Sequence, residues 1–205
     1  MKKTLSSYKL LSHPQQLLKQ HLFGVADIAV KTHLSHGIKP ELERIIYIIS
    51  LCHDFAKSTR YFQRYIIGEK INEHLKAHGL LSAVFTYWLL PQEYKIIGFL
   101  VVKSHHGDIK NVKDELEYDE FNWNFEKQLK SLDEDSIAEL NNIYTDVLSG
   151  RTIEDFIEFA QDIDNLMDIW DDFQFSKKSR SYKEIILCQY LYSLLLTADK
   201  SQLII

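Results

Sequence analysis

Residues 45–57 read Ile45-Ile46-Tyr47-Ile48-Ile49-Ser50-Leu51-Cys52-His53-Asp54-Phe55-Ala56-Lys57. Ile45, Ile46, Ile48, Ile49, Leu51 and Cys52 leave a helix here apolar on most sides, and such a helix belongs at the centre of a fold. It runs straight into His53-Asp54, an ionisable pair at the end of a buried element. A buried carboxylate without a partner costs several kcal/mol. The pair therefore needs partners from elsewhere in the chain.

Working outward, the segments on either side are helical too. Pro14 fits the first position of a helix, followed by an apolar stripe of Leu17, Leu18, His21, Leu22, Val25, Ile28 and Ala29. Gly37 ends that segment, and Pro40 opens the next in the same way. Downstream, a third helix is expected from Ala77 to Leu90, stopped by Pro91. A fourth runs from Gln92 to Ser104 and ends in His105-His106-Gly107, with Gly107 a natural C′ residue. Residues 108–130 are polar and mixed, and read as a loop or a loosely held insertion. Ser131-Leu132-Asp133-Glu134 has the spacing of a capping box, and Thr152 begins a further helix with acids in its first turn. The last helix covers Tyr182 to Ser201. Its apolar face takes in Ile185, Cys188, Tyr192, Leu195 and Leu196, and runs into Asp199.

Composition agrees. Seven glycines and three prolines in 205 residues are too few for a strand-and-turn protein, and Leu, Ile, Lys and Glu dominate, as in helical chains. The expectation is an all-α protein. At 45% apolar residues it can bury a sizeable core, as one domain spanning 1–205 in which 108–180 forms an acidic helical region without recognisable motifs.

Three of these helices carry a metal-capable side chain on an apolar face: His21 on the first, His53-Asp54 after the second, Asp199 on the last. Each has an ordinary reading alone, as a hydrogen-bonded core histidine or a paired acid. Together they pose one problem, which a single divalent ion bound by all four would solve.

The succession His21, His53-Asp54, Asp199 resembles the H…HD…D signature of the HD superfamily, whose members are helical metal-dependent phosphohydrolases. Lys57, Phe62-Gln63-Arg64-Tyr65, His78-Gly79-Leu80-Leu81-Ser82-Ala83 and His105-His106-Gly107 extend the likeness. They resemble the HD nuclease domain of the type I CRISPR interference nuclease-helicase, which also occurs alone. Ala56 stands where many members have glycine. The resemblance implies an HD-domain helical bundle with the metal site at its centre, and two divalent ions. The first would take His21, His53, Asp54 and Asp199; the second would share Asp54 and add His78, His105 and His106. A bridging carboxylate suits two cations about 3.5–4 Å apart, as in two-metal phosphoesterases. Imidazole-rich ligation favours Mn²⁺, Fe²⁺, Co²⁺ or Ni²⁺ over Mg²⁺, which remains a candidate; zinc would bind as well.

Lys57 reads as a phosphate contact on the face of Asp54, or as a surface lysine paired with an acid. Ser82 reads as a group orienting His78 or a phosphate, or as a plain helix-surface serine. Arg60, Arg64, Lys70 and Lys76 add positive charge close behind the metal motif, interleaved with Tyr61, Phe62 and Tyr65. That mixture suits single-stranded nucleic acid, although Phe62 and Tyr65 also fit core positions.

The resemblance implies a nuclease acting on single-stranded DNA in CRISPR interference, with a helicase partner, fused or separate, and a guide-RNA surveillance complex. An HD phosphohydrolase of small nucleotides, or a catalytically silent HD module, are the rival readings. No G-x-x-x-x-G-K-[ST] motif occurs in the chain, so no ATP motor is visible. Residues 1–110 carry 15 Lys and Arg against 8 Asp and Glu, residues 111–205 carry 9 against 21, and the net charge is −5. The asymmetry reads either as a polyanion meeting only one half or as a solvated acidic surface with no partner. Cys52 and Cys188 each lie in an apolar run and read as buried free thiols. With no signal peptide and no membrane-spanning run, a soluble protein of the prokaryotic cytoplasm is expected.

Overall fold

The buried run Ile45–Cys52 does become the central helix. The computed structural model describes residues 9–107, 123–179 and 181–202. A two-stranded antiparallel hairpin, β1 (Leu11–His13) and β2 (Gln16–Leu17), precedes α1 (Leu18–Ser35). Then come α2 (Glu43–Cys52), α3 (Arg60–Ile66), α4 (Glu73–Lys76), α5 (Gly79–Leu89) and α6 (Lys95–Lys103). After the stretch 108–122 follow α7 (Trp123–Lys130), α8 (Glu134–Ile143), α9 (Thr145–Leu148), α10 (Ile153–Gln161), α11 (Ile163–Ser179) and α12 (Tyr182–Gln202). The chain is a helical bundle with one small sheet.

Helix α2 packs against α1, α5 and α6, while α12 closes the bundle against α1 and α6. Every apolar residue of the quoted stretch from Ile45 to Cys52 except Tyr47 is buried, as is Ser50. Phe55 continues the core beyond the helix, stacked on Phe85 with ring centroids 4.0 Å apart and edge-on to Phe156 at 5.3 Å. Tyr144 joins this cluster and donates its hydroxyl to the Leu51 carbonyl at 3.1 Å. The layer α8–α10 thus fastens onto the end of α2, where the ionisable pair lies.

Several local expectations change. Pro14 opens no helix; it sits in the turn of the hairpin, and α1 starts four residues later behind the extended Leu17. Proline's fixed φ suits a turn as well as a helix start, and the choice is made by burying Leu10 and Leu18, joined by Leu18 N–H to Leu10 O at 2.7 Å. Gly37 does end α1, with φ +63°. Gly107 is not in the left-handed region; α6 stops at Lys103, and a turn carries His105 and His106. The cap of α8 is Asp133, accepting from Ser136 N–H at 2.9 Å, and not Ser131, whose hydroxyl bonds back to Gln128 O. Thr152 caps α10 in a full capping box with Asp155.

On α12 the buried face is Cys188, Leu191, Leu194, Leu195 and Ala198, whereas Ile185 is 41% exposed. Residues 123–130 form a helix within what read as a loop; 108–122 lie outside the described residues. Both cysteines are free and buried. Among the described residues, no helix is long and apolar enough to cross a membrane.

Candidate metal centre

The site assembles where helix ends meet. Helix α2 ends at Cys52, His53 is its cap, and Asp54 (φ −112°, ψ 19°) leads into a 3₁₀ turn, Phe55–Ser58. Helix α1 contributes His21, fully buried, and α12 contributes Asp199 four residues beyond the buried Leu195. His78 is the cap residue of α5, and His105 and His106 follow α6.

The two oxygens of Asp54 face different neighbours. Oδ2 lies 3.0 Å from His21 Nε2 and 3.3 Å from His53 Nε2. Asp199 Oδ1 completes that side, 3.3 Å from His21 Nε2 and 3.6 Å from His53 Nε2. Oδ1 of Asp54 turns the other way, 3.2 Å from His78 Nε2, 3.4 Å from His105 Nε2 and 4.0 Å from His106 Nε2. Two groups of four donors result, each with its ligand atoms within 4.8 Å of one another, and Asp54 belongs to both.

The donors are oriented as ligands would be. His53 Nδ1–H donates to Ser50 O at 2.7 Å, and His105 Nδ1–H donates to Val102 O at 2.5 Å. Each uses a carbonyl of the last turn of a helix and fixes the tautomer that aims Nε2 inward. His53 Nε2, His105 Nε2 and Asp54 Oδ1 are buried without a hydrogen-bond partner, a cost of about 1–3 kcal/mol each. Imidazole nitrogens and carboxylates with their lone pairs converging fit divalent cations.

Electrostatics point the same way. Burial pushes the Asp54 carboxyl up, but the charges of His53 and Lys57 outweigh it and hold it well below the carboxylate range. Burial lowers His53, and Asp54 with Asp199 overrides this, raising it to about 9. Asp199 is depressed despite burial because His21 Nε2 and His53 Nε2 lie against its anion, at 3.3 and 3.6 Å. In the other group, partial burial and the imidazoles of His105 and His78 lower His106, and burial lowers His78. Those rings are neutral, the ligating form.

The family model named HD domain matches residues 18–142, more than half of the chain. The chain belongs to the HD domain family. This HD domain is similar to the CRISPR-associated endonuclease Cas3-HD of Methanocaldococcus jannaschii, at 31% identity over 90 residues, 38% of this chain and 37% of that protein. The matched stretch thus spans little more than a third of that relative. A solved structure from the same organism, the CRISPR-associated Cas3 HD domain protein, shares the fold with a TM-score of 0.58. It is 19% identical, over 93% of this chain and 98% of that one. Asp199 lies beyond the stretch that the family model matches.

Around the HD donors, Lys57 is buried with Nζ 2.7 Å from Asp54 Oδ2. It reaches Asp54 through the i, i+3 geometry of the 3₁₀ turn, not along a continued α-helix. Ser82 is fully buried, not on the helix surface, and its Oγ accepts from Ala56 N–H at 3.0 Å, supporting the turn from behind. Arg60 and Arg64 do not join the donors. Helical spacing turns Phe62 inward, edge-on to His78 at 5.3 Å, and both arginines outward, Arg64 paired with Glu69.

Two contributors had no role assigned from the sequence, although Gln63 lies in one of the stretches that carry the likeness. His13 lies with its ring 5.2 Å from that of His21, its Nδ1–H donating to Gln16 Oε1 at 3.0 Å. Gln63 pairs with both backbone groups of Leu11 and donates to Lys57 O at 2.6 Å, tying the hairpin to the Asp54 turn. For His13 the signal was a histidine just before Pro14, and the helix reading of Pro14 hid it.

Proposed function

We infer that this HD domain is a metal-dependent nuclease that hydrolyses phosphodiester bonds of single-stranded DNA in type I CRISPR interference. It would work with a helicase, fused or separate, and a guide-RNA surveillance complex. The observation that carries the reading is the split of Asp54, one oxygen toward His21, His53 and Asp199 and the other toward His78, His105 and His106. The name of the Methanocaldococcus jannaschii relative, an endonuclease, supports the choice of substrate class.

Divalent cations bound here would supply a hydroxide near neutral pH and polarise the scissile phosphate. Asp54 serves both groups as the shared anion. His53 and His105 present fixed Nε2 lone pairs, because their other nitrogens are engaged by carbonyls. Lys57, held against Asp54, is placed to offset charge that develops on a phosphate oxygen. The buried Phe55, Phe62 and Phe85 keep water from the back of the site.

A small-nucleotide phosphohydrolase is the second reading. It is favoured by the groove beside His78 and His106, whose volume of about 500 Å³ lies within the range of single small-molecule sites. Incubation with Mn²⁺ and either circular single-stranded DNA or a panel of nucleotides separates the two. Linearised and shortened circles are expected. Hydrolysis of free nucleotides alone would remove the nuclease reading.

A further inference from the structure

The donor cluster is not equally open on all sides. His21, His53, Asp54 and His105 are buried, whereas the His106 side chain is 53% exposed. His106 and His78 together form one end of the groove of about 500 Å³, whose other walls include Phe62, Tyr65, Lys76 and Lys103. The groove depends on Gly79, where a side chain would come within 2.9 Å of the Lys103 carbonyl oxygen. Only because α5 begins that close to the end of α6 does Lys103 stand beside His78.

The walls have a definite chemistry. Tyr65 is 42% exposed, its ring inclined at 64° to that of Phe62 with centroids 5.9 Å apart. Lys76 Nζ lies 4.1 Å from the Tyr65 ring centroid and 2.9 Å from Glu73, which is itself exposed. A half-exposed aromatic ring overlain by one lysine, sharing its groove with a second lysine and two imidazoles, matches a ligand that is planar and anionic at once. An apolar helix would strand the lysines, and an acidic peptide would leave the ring unused.

We propose that this groove holds the nucleotide adjoining the scissile phosphate of a single-stranded DNA, its base on Tyr65 and its phosphate between Lys76 and Lys103. The assignment rests on the nuclease reading and adds the path of the strand. The base takes the place of Lys76 over the ring, and the ammonium turns to the phosphate. The Glu73–Lys76 contact is an exposed i, i+3 pair and yields readily.

Binding is measured without cleavage, by fluorescence anisotropy of a labelled oligothymidylate in chelator over a range of salt. Tyr65→Ala is expected to weaken binding roughly 5- to 100-fold through lost stacking. The double variant Lys76→Gln, Lys103→Gln should lower the slope of log K against log salt by about 0.7, one single-strand phosphate neutralised. Glu73→Gln should tighten binding, and a 5-iododeoxyuridine strand should crosslink to Tyr65 on irradiation. Unchanged thermal unfolding verifies that each variant is folded. Wild-type protein that does not bind the strand, variants that bind as wild type does, or a crosslink mapped only elsewhere would each overturn the groove assignment. Thymidine monophosphate competing as well as the strand would overturn it as a strand site. Cleavage of circular DNA is scored separately. A groove that binds without cleavage sinks the nuclease reading alone, and cleavage with groove variants that bind normally sinks the groove alone.

Discussion

At the residue scale, Asp54 is the position on which the donors depend. Its anion faces His21, His53 and Lys57 from one oxygen and three further imidazoles from the other. Asp54→Ala is expected to abolish DNA cleavage and to empty both donor groups in elemental analysis; full activity in this variant would contradict the site. Removing the anion also strands the Lys57 and His53 charges, so the ion-free variant should lose about 3–5 kcal/mol of stability by denaturant unfolding. Lys57→Ala separates charge stabilisation from metal binding. Turnover should fall roughly 10- to 1000-fold with metal content intact, and a matching loss of metal would make Lys57 a support for Asp54 instead. Ser82 shows how far residue type can mislead. Its hydroxyl looks available one turn from His78, yet it is engaged by a backbone N–H that lies 26 positions away.

At the scale of elements, the site is a meeting of helix ends, and the connections between them decide its geometry. The N-terminal hairpin is fastened to the Asp54 turn through one amide, that of Gln63, which mimics a strand partner for Leu11 and also holds Lys57 O. Gln63→Ala should lower stability by about 1–3 kcal/mol and weaken metal binding by loosening the turn, both read in a metal titration followed by thermal unfolding. Unaltered metal affinity would confine Gln63 to holding the hairpin. Helix α2 itself was legible, because an apolar run of that length admits few other arrangements. The hairpin was not, because proline satisfies a turn and a helix start with the same φ.

At the scale of the molecule, the first donor group joins α1, the end of α2 and α12, so residues 21 and 199 meet across nearly the whole chain. A ligand that binds only this folded arrangement stabilises it in proportion to the logarithm of its concentration, about 2.7 kcal/mol at a hundredfold excess over Kd. Mn²⁺ should therefore raise the unfolding temperature and chelation should lower it. Asp199→Ala should lose much of this shift while keeping the response of the other group, and a full shift in that variant would take α12 out of the centre.

What the sequence by itself determined was the helical class and which seven metal-capable side chains, from His21 to Asp199, to look for. Helical periodicity is local, and a metal-capable side chain on a buried face declares itself by type. Only the tertiary structure decided that Asp54 divides its oxygens between two groups, that His13 and Gln63 stand behind the first, that Ser82 serves the backbone, and that Arg60 and Arg64 turn away. Each of those outcomes depends on contacts between segments distant in the chain, which spacing alone does not encode.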